Sequence, residues 1–477
     1  MIRKSIVLFI FLAGFLYPQS SFDSLRAKLN QVTQSMYFDT TLISLDVYDL
    51  TKNQPVFAKN QNFLLEAASN MKILTTSVAL YFLGPDYKFR TSLYYTGNIH
   101  DGILNGNLYV VGGGDPHFTD SDLDSLILKF KQLKINKISG NIYGDVTWKD
   151  SLFWGSGWMW DDDPSTDAPY LSALTIDNNA VGVFVEPGEV GQKAIVTLKP
   201  NTDYVKLLNE TVTLPEDSIN NYIVTRDWMH RKNTVIVSGD IQQKAVLDSS
   251  SAWHYVNVFD PADYFLTLFK EKLAEDSIAF NGTASVDSMP SYTTNLTTFS
   301  RPFDSVVVNL LKNSDNLSAE MTLYALSHLS VSNPGTAKSG IKMIDSLVSI
   351  IGLNPKDYNF ADGSGVSRYN LVSANLLLSV LKYFYYDKPV LYQILYNSFP
   401  IAGVDGTLKD RMKNTVAENN VHAKTGTLSG VSSLSGYVTA KNGDELAFSI
   451  LIQNFVSKAK QARDYQDKIC QILASFN

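Results

Sequence analysis

A serine and a lysine three positions apart, Ser69 and Lys72, stand just ahead of an apolar run in the stretch AASNMKILTT. That spacing is one helical turn, so the two side chains share a face. A serine hydroxyl is a poor nucleophile and needs a base beside it. In a chain with six scattered histidines and one cysteine, Lys72 is the candidate. It can serve only when neutral, which burial and a nearby cation favour. Ile73, Leu74, Val78, Phe82 and Leu83 keep a helical spacing, and Gly84-Pro85 ends it. Ser69 is therefore expected in the first turn of a buried helix, near the positive end of its dipole. Alone, the pair is better explained as a capping serine and its neighbour.

Two further stretches change that reading. Ser314-Asp315-Asn316 precedes a helical run, and Lys424-Thr425-Gly426-Thr427 ends a predicted strand. S-x-x-K, S-D-N and K-T-G in that order are the signature of penicillin-interacting serine enzymes. Lys424 supplies the second cation near Lys72. Ser314 is placed to relay a proton to a leaving amine, and the Asn316 amide to hold Lys72 and a substrate amide. Lys424, Thr425 and Thr427 suit a substrate carboxylate by charge and hydrogen bonding. The backbone N–H groups of Ser69 and Thr427 are the candidate oxyanion hole.

Elements at both ends of the chain must position these groups. Helical spacing covers Phe22 to Met36, followed by strands at Thr41 to Asp49 and Pro55 to Ala58. From about Thr91 to Phe299 the texture is short and β-rich, with a helix at Asp260 to Leu273. Helices return at Val306 to Lys312, Ser318 to Leu329, Ile341 to Ile351 and Ser373 to Tyr386. Strands at His422 to Lys424, Ser433 to Thr439 and Glu445 to Gln453 precede a final helix, Lys458 to Phe476. One domain is thus expected from both termini, with the β-rich middle inserted into it.

The 477 residues are 45% apolar and 18% charged with a formal net charge of −7, which describes a globular chain. No Lys/Arg-rich run suggests nucleic acid. The start, MIRKSIVLFIFLAGFLYPQSS, has a basic residue pair, an apolar run and a polar exit, as in a signal peptide over 1–20. Cys470 is remote from that segment and has no cysteine to pair with. These features point to an exported, periplasmic or cell-envelope protein. No histidine or cysteine spacing suits zinc.

The chain resembles the D-alanyl-D-alanine carboxypeptidase/endopeptidase family, the class C low-molecular-mass penicillin-binding proteins. Beyond the three motifs, the resemblance rests on Gly113-Gly114-Asp115-Pro116, Gly157-Trp158-Met159-Trp160-Asp161-Asp162, Asp362-Gly363-Ser364-Gly365-Val366-Ser367-Arg368 and Gly403-Val404-Asp405-Gly406-Thr407-Leu408. It implies an α+β penicillin-binding-protein/β-lactamase-like transpeptidase domain, an antiparallel sheet between helical layers, with two nested β-rich inserted domains. Expected boundaries are 21–92 and 296–477 for the peptidase domain, 93–168 and 270–295 for inserted domain II, and 169–269 for inserted domain III. The 245 positions between Ser69 and Ser314 leave room for both insertions.

The resemblance also implies an acyl-serine route to trimming or cutting peptidoglycan stem peptides, inhibition by β-lactams, and no cofactor or metal. A loose membrane or cell-wall association is a further expectation. For diaminopimelate-type peptides it implies an acid and an arginine at the side-chain end. By motif these are Asp162, within the run 161–163, and Arg368, helped by Leu428 and Ser429 after Gly426 and Thr427. The bland alternative for the acid run is a solvated turn; adjacent acids lack the alternate spacing of a calcium loop. Two rivals stand. A class A β-lactamase needs a glutamate between S-D-N and K-T-G, where only Glu320 and Glu418 occur, and has no such long gap. A non-catalytic peptidoglycan-binding scaffold would share the fold, but need not keep all six motif side chains.

Overall fold

Glu445–Gln453 (ELAFSILIQ) and Leu42–Asp49 (LISLDVYD) are buried along almost their whole lengths, so neither face of either strand meets water. Such strands must sit inside a sheet covered on both sides. They pair antiparallel, Leu45 opposite Ile450 and Val47 opposite Phe448, at the heart of a five-stranded sheet. Its order is His422–Leu428, Val431–Thr439, Glu445–Gln453, Leu42–Asp49, Gln54–Lys59. The computed structural model describes residues 21–244, 253–331, 333–456 and 458–477. The expected signal segment at 1–20 lies outside the described residues.

Helices Ser21–Thr33 and Lys460–Ala474 cover one face of this sheet, burying Leu25, Leu29, Ile469 and Leu473 against Leu45 and Ile450. Ala374–Asp387 covers the other face. Met71–Phe82 and Asn316–Ser327 pack behind it around Leu74, Val78, Leu317 and Met321. The antiparallel sheet between helical layers is as the motifs led us to expect. Among the described residues no helix is long and apolar enough to cross a membrane.

Between Met71–Phe82 and Phe303–Lys312 the chain builds a second assembly. Lys88–Tyr95, Leu108–Gly112, Ile142–Asp145, Ala284–Val286 and Thr294–Pro302 form one five-stranded sheet. Among the described residues, strands between 180 and 257 pair only among themselves, in two three-stranded sheets. Strands of all three sheets contribute to one apolar cluster running from Leu93 through Val237 to Leu296.

The expected cuts at 92/93 and 295/296 fall inside Lys88–Tyr95 and Thr294–Pro302, which are hydrogen-bonded to each other. The cut at 269/270 falls inside the helix Pro261–Glu275, which packs on Ile142–Asp145 and on the helix Asp120–Gln132. That second helix was absent from the sequence reading. Leu123, Leu126, Ile127 and Phe130 give it a buried stripe.

Candidate active site

Ser69 does not open an ordinary helix. It lies in a single 3₁₀ turn, Ala68–Asn70, that runs directly into Met71–Phe82. Ala68 has a φ of +46°, a conformation side chains with a Cβ rarely adopt. Neighbours hold the turn there. The Asn70 amide donates to Ser433 Oγ (2.5 Å), and that hydroxyl donates to the Ala67 carbonyl (2.6 Å). On the other side a Cβ at Gly365 would lie 1.9 Å from the Ala68 carbonyl oxygen, so only glycine fits.

Lys72 is fully buried one turn further on. Its Nζ is 3.0 Å from Ser69 Oγ, 2.5 Å from Asn316 Oδ1 and 2.7 Å from the Ser364 carbonyl. Burial lowers its pKa to about 8, outweighing the nearby Asp362, Asp315, Glu320 and Asp167. Asn316 Oδ1 and the carbonyl can only accept. A neutral amine must therefore donate its two protons to them and turn its lone pair to Ser69, the one partner with a proton to give. Asn316 keeps its oxygen on Lys72 because its Nδ2 donates to the Asp167 carbonyl (2.5 Å).

Lys424 is equally buried and donates to Ser314 Oγ and to the Thr425 carbonyl, both at 2.8 Å. Burial first, then the charge of Lys72, holds its pKa well below the usual lysine value. Asp315 caps the helix Asn316–Ser327 by accepting from Ser318 N–H (2.6 Å). This fixes the S-D-N turn, in which Ser314 has a φ of +61°. A Cβ at Gly426 would lie 2.2 Å from Ser433 Oγ and 2.9 Å from Ser69 N. The glycine of K-T-G thus lets the edge strand run against the Ser69 turn and brings the Ser69 amide next to Thr427.

These groups border a cleft of about 420 Å³. Ser69, Ser314, Asn316 and Thr425 to Leu428 line it. Asp161, Asp162, Asp167, Gly365 and Val366 belong to the same lining. Asp162 Oδ2 accepts from Met159 N–H (2.7 Å), and burial raises its pKa against the pull of Arg368. Arg368 and Ser429 are not part of the lining. The guanidinium donates to the Ser429 carbonyl (3.0 Å) and pairs with Glu66 (2.9 Å), a partner the sequence reading missed. In the sequence Asp362 stands out only as part of a motif. Its carboxylate gathers Gly365 N–H, Ser367 N–H, Trp158 Nε1 and Asn370 Nδ2 at 2.6–2.9 Å and so shapes the loop that carries Ser364.

Asp163, last of the acidic run, turns away from the cleft. It pairs with Arg226 (2.6 Å) where the two side chains are 7% and 1% exposed, and accepts from Tyr170 Oη (2.9 Å). Arg226 also donates to Asn257 Oδ1 (3.1 Å), whose Nδ2 donates to the Ala168 carbonyl (2.9 Å). This bracket ties the inserted sheets to the loop bearing the cleft acids. Removing one partner of a buried pair strands the other charge, at a cost of about 3–5 kcal/mol. Asp163→Ala is expected to lower the denaturation midpoint accordingly, with Asp163→Leu/Arg226→Met recovering much of it. An unchanged midpoint for Asp163→Ala would contradict the bracket.

Residues 25–476 match the D-Ala-D-Ala carboxypeptidase 3 (S13) family, and the chain belongs to that family of serine peptidases. It is 30% identical to a D-alanyl-D-alanine carboxypeptidase of Actinomadura sp. (strain R39), over 95% of this chain and 85% of that one. The crystal structure of penicillin binding protein 4 from Haemophilus influenzae is similar with a TM-score of 0.81 at 26% identity, covering 92% of this chain and 97% of its own. The same protein complexed with a novel β-lactam gives 0.75 at 25% identity, over 93% and 98%. The family and fold inferred from the three motifs are thereby borne out.

Proposed function

We propose that Ser69 is the nucleophile and Lys72 its base in a D-Ala-D-Ala carboxypeptidase and endopeptidase reaction on peptidoglycan stem peptides. The observation that carries this is the Lys72 environment, in which two obligate acceptors direct the neutral amine's lone pair at Ser69 Oγ. Lys72 takes the hydroxyl proton as Oγ bonds to the carbonyl carbon of the penultimate D-Ala. The N–H groups of Ser69 and Thr427 receive the oxyanion. Collapse breaks the C–N bond, and Ser314, hydrogen-bonded to Lys424, relays the proton held by Lys72 to the departing amine, which leaves Lys72 neutral. Water then opens the ester with Lys72 again as base. Lys424, Thr425 and Thr427 hold the terminal carboxylate, and Gly426 lets their strand approach. A β-lactam forms the same ester with its amine still tethered, which keeps water out.

A β-lactamase reading is disfavoured because, among the described residues, no glutamate lines the cleft. Glu320 is buried behind it with Oε1 accepting from Gly363 and Ser364 N–H. For the scaffold reading, the complete set of polar side chains in mutual contact has no purpose.

The side-chain end of a diaminopimelate residue carries an ammonium and a carboxylate. Asp162, with Asp161 beside it, would meet the first and Arg368 the second, next to Leu428 and Ser429. Glu66 would hold the guanidinium in place between substrates. A hydrogen bond to a charged group is worth about 1.5–3 kcal/mol. Arg368→Ala should therefore lower kcat/KM on diaminopimelate peptides roughly tenfold to a hundredfold while penicillin acylation stays near wild type. Equal losses on both would remove the clamp.

The outer boundaries that suit the insertions are the strands Lys88–Tyr95 and Thr294–Pro302, and we place the protein in the periplasm or cell envelope, loosely held to the wall it trims. The direct test is D-alanine release from a diaminopimelate pentapeptide, and cleavage of a cross-linked dimer, by wild type and Ser69→Ala. Activity on neither substrate by folded wild type would overturn the proposal.

A further inference from the structure

Four of the six tryptophans gather in one place. Trp154, Trp158, Trp160 and Trp228, with Phe153 and Met229, line an open bowl of about 410 Å³. Trp160 is 69% exposed and Met229 72%, which makes this an apolar surface that solvation alone does not explain. The Trp160 and Trp228 rings face each other at 5.2 Å with 35° between their planes, and Trp154 meets Trp158 edge-on at 5.3 Å. Arg231 stands at the rim with its guanidinium 5.6 Å from the Phe153 ring.

The bowl and the cleft are two sides of one short turn. Trp160–Asp162 gives its tryptophan to the bowl and its aspartates to the cleft. The far wall comes from the inserted sheets. Trp228 follows Arg226, and the buried Arg226–Asp163 pair fixes the two walls relative to each other. The cavity is thus held in shape by the same bracket that holds the cleft acids.

We infer that this bowl is a saccharide subsite, taking the N-acetylated amino-sugar end of the substrate while its peptide lies in the cleft. The inference rests on the stem-peptide reading above and adds the glycan to it. A pyranose ring presents an apolar face of C–H groups whose slightly positive hydrogens suit the negative face of an indole. Its equatorial hydroxyls stay in the open mouth, where Arg231 can donate to them. An acetyl methyl fits the apolar floor beside Met229. The volume lies in the range of small-ligand pockets. A lipid surface is the less suitable occupant. Membrane-seeking aromatics protrude from convex tips, whereas these rings pack in pairs and line a hollow, and Asp161 and Asp162 on the adjoining side would repel anionic headgroups. Continuity with the cleft supplies the remaining argument. A stem peptide held by its D-Ala end must leave the cleft toward its sugar, and the two or three residues between span roughly 10 Å.

The test compares the full-length protein with Trp228→Ala and Met229→Ala. Each is given a diaminopimelate pentapeptide with and without its N-acetylated disaccharide, and, separately, N-acetylglucosamine trimer with tryptophan fluorescence as the readout. Wild type is expected to prefer the sugar-bearing peptide by about tenfold in kcat/KM. Both variants lose most of that preference and the fluorescence response, with penicillin acylation of Ser69 unchanged as the control for folding. Equal kcat/KM on the two peptides in wild type, or a preference that survives in Trp228→Ala, overturns the subsite. So does a loss confined to binding of phosphatidylglycerol vesicles, which would reassign the bowl to a membrane surface. Failure of penicillin to acylate wild type would defeat the mechanism and not this inference, which the trimer response reads independently.

Discussion

Replacing Lys72 with methionine slows penicillin acylation of Ser69 by about 10²–10⁴-fold, the range a positioned general base contributes. Methionine fills the buried space, so the loss reports on chemistry more than on packing. The same lysine sets the pH dependence. Burial disfavours its ammonium form and brings the pKa to about 8. Near pH 7 only about a tenth of the molecules hold the neutral amine. The acylation rate should climb about tenfold per pH unit below 8 and level off above it. The sign for stability follows from the same shift. Between about 8 and the ordinary lysine value the unfolded chain binds the extra proton, so this lysine's contribution becomes more favourable as pH rises through that window. Below it, the cost of burying the charge is complete. A rate that is flat from pH 6 to 9, or Lys72→Met acylated at the wild-type rate, would remove Lys72 as the base.

Gly365→Ala is the second large effect, and it comes from a glycine of the cleft lining that has no side chain to take part in the chemistry. Its φ is +87°, where a Cβ is strained, and that Cβ would fall 1.9 Å from the Ala68 carbonyl oxygen. A backbone oxygen in a turn clamped by Asn70 and Ser433 cannot yield cheaply. Strain of this kind costs on the order of 1–3 kcal/mol, and overpacking adds a similar amount. We expect a lower denaturation midpoint together with at least a tenfold drop in acylation, because the Ser69 turn moves relative to Lys72. A variant with both near wild type would show that the contact does not position the nucleophile.

The three motifs that the fold brings together were legible because each is local and sits at the end of an element. Ser69 and Lys72 are joined by one turn, Ser314 and Asn316 by a capped helix start, and Lys424 to Thr427 by one strand. The layers of the peptidase domain were legible for a related reason: their strands and helices are long and their apolar spacing regular. What escaped depends on contacts between distant segments. Glu66 meets Arg368 from 302 positions away, and nothing near either residue announces it. The three aspartates at 161–163 look alike in sequence, yet Arg226 draws the third inward and the Met159 amide engages the second. Gly365 reads as a turn residue until Ala68 is seen against it. The expected domain cuts at 92/93 and 295/296 lie inside paired strands because the β-rich texture begins within those strands, so a change of composition need not coincide with the end of an element.

The central claim is that Ser69 is acylated, and intact mass of the purified protein with penicillin over time, beside Ser69→Ala, tests it most directly. The account predicts one lasting adduct per chain, mapped to the peptide carrying Ser69 and absent from the variant. No adduct in folded wild-type protein, or one that persists in Ser69→Ala, would contradict it.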